Sequence, residues 1–366
     1  MAETEIHHHH QQSRYPYMGR RTTLVSVDDP SSSTTSSSAF SDCNSDRSGE
    51  FSTASSSARR RLLVACASSS SSEDNSEALI RQLVSDLNSC SIESQRQAVM
   101  ELRLLAKNKQ ENRLAIARGG AIQPLISLLS SQDPDLQEHG VTAILNLSLC
   151  DQNKDLIAAS GAVKPLVWAL NCGNPTAKEN AACALFRLSQ TDHQKAAIGR
   201  AGAIPLLVNL LDSGGFRAKK DASTALYSLC AVNENKIRAV ESGIMRPLLE
   251  LMADFGSGMV DKAAFVLSVL VSVAEGRAAL VAEEAGLPVL VEMLEAGSHR
   301  QKEIAAAVLL EICQERPDYR TMVAREGAIP PLVALTQTAT TKAKQKAEAL
   351  IELLRQPRSW NNGVAA

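Results

Sequence analysis

Gly120-Ala121-Ile122-Gln123-Pro124-Leu125 is followed 41 residues on by Gly161-Ala162-Val163-Lys164-Pro165-Leu166. The phrase returns as Gly202-Ala203-Ile204-Pro205, Gly243-Ile244-Met245-Arg246-Pro247-Leu248, Gly286-Leu287-Pro288 and Gly327-Ala328-Ile329-Pro330, so the glycines stand 41, 41, 41, 43 and 41 residues apart. A second series, Arg113, Lys154, Lys195, Lys236 and Arg277, keeps step with it at a constant 41. Self-similarity at such a period marks a stacked repeat, and it is the reading on which everything else turns.

Each repeat reads as three helices. A short one, such as Asn112 to Arg118, ends at a glycine able to take the left-handed conformation that closes a helix. A second begins with proline in or near its first turn, where a missing N–H costs nothing. The third and longest, illustrated by Lys178 to Gln190, places Ala181, Ala184, Leu185 and Leu188 on one apolar side. Such a unit cannot bury its apolar surface alone, and stacking against neighbours completes the core. The expected body is all-α: a partial opening unit at 76–107 without the short helix, then units near 108–149, 150–190, 191–231, 232–272, 273–314 and 315–356. The 43-residue gap puts two extra residues near Val281 to Glu284, expected to bulge outward. The last unit is expected to be polar on its outer helix, with Lys342, Lys344, Lys346, Glu348 and Glu352.

Composition divides the 366 residues unevenly. Residues 1–75 are dominated by Ser and Thr, as in Ser31 to Ser38 and Ser68 to Ser72. So few apolar side chains cannot offset backbone entropy, and this region is expected to be disordered. A short tail follows at 357–366. Net charge is −2; residues 1–75 hold 7 Lys+Arg and 9 Asp+Glu, and the remainder holds 31 of each sign. A neutral body lacks the basic stripe that phosphate contacts require, so no nucleic-acid partner is expected. No 18-residue apolar run is present and integral membrane association is not expected. Met1-Ala2-Glu3 has neither the build of a secretory signal nor a glycine for myristoylation. Eight cysteines without a C-x-x-C pair fit a reduced compartment, cytoplasmic or nuclear.

The phrase Glu179-Asn180-Ala181-Ala182-Cys183-Ala184-Leu185-Phe186-Arg187-Leu188-Ser189 resembles the armadillo-repeat domains of plant U-box ubiquitin ligases, over about residues 76–356. Asp42-Cys43-Asn44-Ser45-Asp46-Arg47-Ser48-Gly49-Glu50-Phe51 is similar to the linker that precedes those repeats. The resemblance implies a right-handed armadillo superhelical solenoid of about seven units whose third helices line a concave groove. It also marks a departure: residues 1–75 show no strand-and-turn pattern or apolar core from which a U-box could be built. The chain thus resembles the substrate-binding half of such a ligase without the half that carries the activity, and fold alone does not transfer a function.

With the units aligned, one groove ladder runs through Leu104, Asn146, Arg187, Ser228, Val269, Glu311 and Glu352. A turn earlier stand Met100, Thr142, Cys183, Thr224, Phe265, Ala307 and Glu348, and a further turn back Gln97, His139, Asn180, Asp221, Lys262, Ile304 and Gln345. These offsets fall on one helical face. His139, Thr142, Asn146, Asn180, Arg187, Asp221, Thr224, Ser228, Lys262 and Phe265 are the candidate partner-binding residues. Any one of them is open to reading as part of a solvated face, and Phe265 to reading either as an apolar anchor or as core. Import receptors of the same repeat family pair a tryptophan with an asparagine ladder. Here only Asn146 fits the asparagine position, Trp168 falls in a second helix and Trp360 in the tail, so that role is disfavoured.

Other constellations point to no chemistry. The basic series reads as exposed starts of the short helices carrying solvated charges. Cys230 and Cys313 align with Ser148 and Ser189 as small residues near helix ends. His139, His193 and His299 fall in different units, and no metal spacing is present. His7 to His10 read as low-complexity sequence. P-loop, nucleophile-elbow and zinc-ring spacings are missing. No cofactor and no catalysis are expected. Arg20-Arg21-Thr22-Thr23 and the serines near Ser48 are candidate phosphorylation sites, with Thr23 and Ser48 the acceptors. The expected function is a scaffold or adaptor that holds extended segments of other proteins, in plant ubiquitin or kinase signalling. The alternatives are a U-box-type ligase or the substrate-binding subunit of one.

Overall fold

The computed structural model describes residues 73–338 and 340–356. Thr23, Ser48, His7 to His10, the rest of the Ser-rich segment before Glu73 and the tail at 357–366 lie outside the described residues. Helix α1 (Glu73–Leu87) begins three residues before the boundary read from composition.

After α1 come α2 (Ile92–Asn108), α3 (Gln110–Arg118), α4 (Ile122–Leu128), α5 (Pro134–Ser148), α6 (Asp151–Ala159), α7 (Val163–Cys172) and α8 (Pro175–Leu188). Two further units add α9 (Asp192–Arg200), α10 (Ala203–Ser213), α11 (Phe216–Leu229), α12 (Asn233–Glu241), α13 (Met245–Ala253) and α14 (Val260–Leu270). The series ends with α15 (Ala274–Ala282), α16 (Gly286–Ala296), α17 (His299–Glu315), α18 (Pro317–Arg325), α19 (Ile329–Thr338) and α20 (Thr341–Arg355). The opening unit is the pair α1–α2, and the triplets from α3 onward are the six full units.

Local chemistry sets these boundaries. Several third helices start on capping residues: the Asp133 side chain accepts from the Asp135 and Leu136 N–H groups at 3.1 and 3.0 Å, and Asn174 from Ala177 N–H at 2.8 Å, each followed by proline at the first helical position. Ser298 and Gln301 form a reciprocal capping box. Each such cap contributes about 1 kcal/mol. Short helices end in a left-handed glycine: φ is +82° at Gly120, +84° at Gly161, +89° at Gly202, +77° at Gly243 and +91° at Gly327. At the first of these, Ala121 N–H reaches back to the Ile116 carbonyl and Gly120 N–H to that of Ala117, the paired closure typical of a helix C-terminus.

Gly286 breaks the series. The two inserted residues let the chain leave α15 through an extended Glu283, and Gly286 becomes the first residue of α16 instead of the closing glycine expected there. A Cβ on it would lie 2.1 Å from the Leu280 carbonyl oxygen, so glycine serves close packing at this position. The insertion itself, Glu283 and Glu284, is exposed as expected.

Third helices stack one on the next, α2 on α5, α5 on α8, α8 on α11, α11 on α14, α14 on α17 and α17 on α20. One apolar core runs without a break from Ile80 to Ile351. Ala181, Ala182, Ala184 and Ala225 have no exposed surface, and their small side chains let neighbouring helices approach closely.

The basic series corrects an expectation: these side chains are not solvated ends. Asn112 Nδ2 donates to the Leu105 carbonyl, while Arg113 Nε and Nη2 donate to those of Ala106 and Lys107 at 2.7 Å each. Arg277 Nη1 reaches the Val271 carbonyl at 2.7 Å, and Arg320 Nε, the next member after the insertion, that of Cys313 at 2.7 Å. The three arginines therefore neutralise the negative ends of third helices. Several members of the series bridge to the following unit: Lys154 to Gln190, Lys236 to Ser272 Oγ at 2.7 Å, Arg277 to Glu315 and Arg320 to Gln356. Lys195 is the exception, bonded among the described residues to Asp192 of its own helix at 2.6 Å. A side chain that answers carbonyls of the preceding helix, as Arg113, Arg277 and Arg320 do, or a partner in the next unit, as Lys154 and Lys236 do, recurs once per repeat, in keeping with the constant spacing.

Candidate protein-binding wall

Stacked third helices expose one face each, and together these faces form a wall. The candidate residues divide into two sets on it. Asn146, Asn180, Asp221, Thr224 and Lys262 are 3, 5, 6, 1 and 9 % exposed, which places them in the seams between helices. Asn146 Nδ2 donates to the Arg103 carbonyl at 3.1 Å, tying α5 to α2. Asn180 Nδ2 donates to Thr142 Oγ1 at 2.9 Å, and its Oδ1 accepts from Arg217 Nη2 at 3.2 Å, so one amide joins α5, α8 and α11. Arg217 also lies 3.3 Å from both Glu179 and Asp221. Thr224 donates to the Lys220 carbonyl of its own helix.

The other set is half-buried and reaches the surface of the wall: His139, Thr142, Arg187, Ser228 and Phe265. Ser228 and Ser189 share a 2.7 Å hydroxyl bond across α11 and α8. Phe265 packs one side against the core, and its ring meets Tyr227 edge-to-face with centroids 6.3 Å apart at 74°. It is thus core and surface at once. Arg187 sits over the neighbouring Phe186 ring at 5.7 Å. The Arg113 guanidinium is held below its ordinary value, chiefly by burial, with the like charge of Arg187 adding to the effect. Burial likewise lowers the pKa of Arg103 and of His139, and Arg103 lowers His139 further. His139 Nδ1 is buried without a hydrogen-bond partner among the described residues.

Sequence reasoning missed part of this surface. Glu138, Glu179, Lys220 and Asp261, one residue before the His139–Lys262 row, are half-buried and lie at the edge of the wall. Phe186, Tyr227, Ser268 and Leu310, one residue before the Arg187 row, are half-buried as well. Two helical turns advance 7.2 residues, so positions seven and eight both flank the exposed midline. The 41-residue step from Phe186 to Tyr227 was the available signal. Arg300 on α17 also belongs to the wall, its guanidinium 4.6 Å from the centroid of Phe265.

Among the described residues no group of three His, Cys, Asp or Glu side chains is arranged to hold a metal ion, and no helix is long and apolar enough to cross a membrane. Cys230 and Cys313 are buried, and burial pushes both thiols up to about 12, which suits packing and not nucleophilic attack.

Three-helix units, left-handed glycine turns and third helices stacked into one wall define an all-α armadillo-type superhelical solenoid. The model of the plant U-box protein ARM-repeat region matches residues 67–365, and the chain belongs to that family. U-box domain-containing protein 4 of Arabidopsis thaliana is 51% identical over 75 residues, 20% of this chain and 9% of that protein. E3 ubiquitin-protein ligase SPL11 of Oryza sativa subsp. japonica is 55% identical over 75 residues, covering 20% of this chain and 11% of its own length. The matched stretch thus spans about a tenth of these relatives. Among solved structures, two engineered proteins share the fold, one with a TM-score of 0.68 at 24% identity, covering 81% of this chain and 78% of its own. The second gives 0.57 at 27% identity, covering 64% of this chain and 96% of its own.

Proposed function

We propose that this chain is a protein-interaction scaffold that holds extended segments of partner proteins along its third-helix wall and carries out no catalysis of its own. One observation carries the reading: a half-buried face of mixed polar, charged and aromatic side chains, repeated from α5 to α17 while Asn146 and Asn180 in the seams beneath it are already bonded to neighbouring helices. A face of this kind presents side-chain pockets at regular intervals to an extended chain. Affinity purification with the full chain and with Arg187→Glu, read by mass spectrometry, tests it. Partners lost from the variant while folding is retained support the wall, and an unchanged partner set counts against it.

A second reading, that the chain delivers substrates to ubiquitin ligation in the cytoplasm or nucleus, is favoured by the names of its relatives, U-box proteins and an E3 ubiquitin-protein ligase. Under the scaffold reading, incubation with ubiquitin, activating enzyme and conjugating enzymes leaves the chain unmodified. Robust self-ubiquitination would make it a ligase in its own right.

A further inference from the structure

We infer that the middle of the wall contains a defined subsite, built by Tyr227, Phe265 and Arg300, for a partner segment that presents an apolar side chain followed closely by a carboxylate. The inference rests on the wall being a binding surface and adds the chemistry of what it binds.

Three helices meet here. Tyr227 of α11 and Phe265 of α14 stand edge-to-face, both half-buried, so aromatic surface remains in contact with water at the centre of the wall. Arg300 of α17 lays its guanidinium over the Phe265 ring. Stacking engages the flat face of a guanidinium and leaves its in-plane N–H donors available. Among the described residues those donors reach no acceptor, and the guanidinium meets the Phe265 ring. The carboxylates of α14 and α17 are engaged elsewhere. Asp261 accepts from Gln301 Nε2 at 2.8 Å, Glu303 lies 3.3 Å from Lys346, and Glu311 lies 3.5 Å from Arg277.

The location sharpens the point. Arg300 is the second residue of α17, a helix with no acidic residue in its first turn. A cation at the positive end of a helix dipole is unfavourable. An incoming carboxylate would answer the guanidinium and the helix end together, through paired charge-assisted hydrogen bonds. A basic segment would be repelled. An apolar side chain next to that carboxylate would cover the Tyr227–Phe265 edge and remove the remaining aromatic surface from water.

Selection of a phage-displayed library of short random peptides on the full chain tests this, followed by anisotropy titration of the synthesised winners. The expected winners carry an aromatic or aliphatic residue with Asp or Glu just after it. Arg300→Gln weakens them about tenfold, and changing the peptide's carboxylate to the amide gives the same loss, with no further loss when the two changes are combined. Circular dichroism melting of Arg300→Gln is expected to match wild type, so the loss is one of binding. Winners that are basic, or that bind Arg300→Gln as tightly as wild type, overturn the subsite. If such winners are still lost on Arg187→Glu, the wall reading survives and this inference alone falls. If no peptide is enriched on the wild-type chain, both fall.

Discussion

Arg187 and Asn180 lie seven residues apart on one helix and carry opposite expectations. Arg187 reaches the surface of the wall beside two charges, Arg113 and Asp151, whose proton affinities it lowers. Reversing its charge in Arg187→Glu removes a like-charge contact with Arg113 and creates one with Asp151, which offset each other, so Tm is expected to stay near that of wild type. At the surface of the wall the same reversal is expected to weaken partner binding about tenfold. Asn180 is sealed between three helices, and Asn180→Ala leaves Thr142 and Arg217 without a shared partner. A loss of about 1–3 kcal/mol is expected by denaturant titration. A pH effect belongs to this scale too. His139 has its pKa lowered from the ordinary 6.5, first by burial and then by Arg103, with Glu138, Asp135 and Asp133 acting the other way. A depressed value means the unfolded chain takes up the proton first, so the stability present above about pH 6.5 is lost as pH falls below it. Melting curves between about pH 7.5 and 5 should show Tm falling in wild type and falling less in His139→Gln.

At the scale of the element, the left-handed glycine is the device that lets a short helix turn directly into the next. Gly202 has φ +89° and open space where a Cβ would point, so any penalty there is conformational and not a clash. Gly202→Val is expected to cost about 1–3 kcal/mol, measured as a drop in unfolding free energy. These turns, the prolines and the helix periods were legible in the sequence because each is fixed by backbone constraints that repeat every 41 residues. Two features were not. Gly286 looks like its fellows in sequence, but an insertion just ahead of it changed its conformation. Lys154, Lys236 and Arg277 looked like exposed charges because their acceptors, main-chain carbonyls and residues a full unit away, leave no local pattern. The half-buried face of the third helices was legible to within one residue. The period located the face, but whether Asn180 or Glu179 lies in the seam depends on how adjacent helices rotate against each other, and no single unit encodes that.

Across the whole described body, the repeats serve two ends with neighbouring residues: seam side chains fasten unit to unit, and those beside them remain at the surface. Under the proposed scaffold role, a wall already fastened in this way would need little ordering on binding. The most direct test places a photo-crosslinking amino acid, one at a time, at Val269 and Ala307 on the wall and at Trp168, which is 47 % exposed on a second helix. Irradiation of the full chain in cell extract is predicted to give partner adducts from Val269 and Ala307 and none from Trp168. Adducts from Trp168 alone would show that partners bind the second-helix side, and would contradict the account.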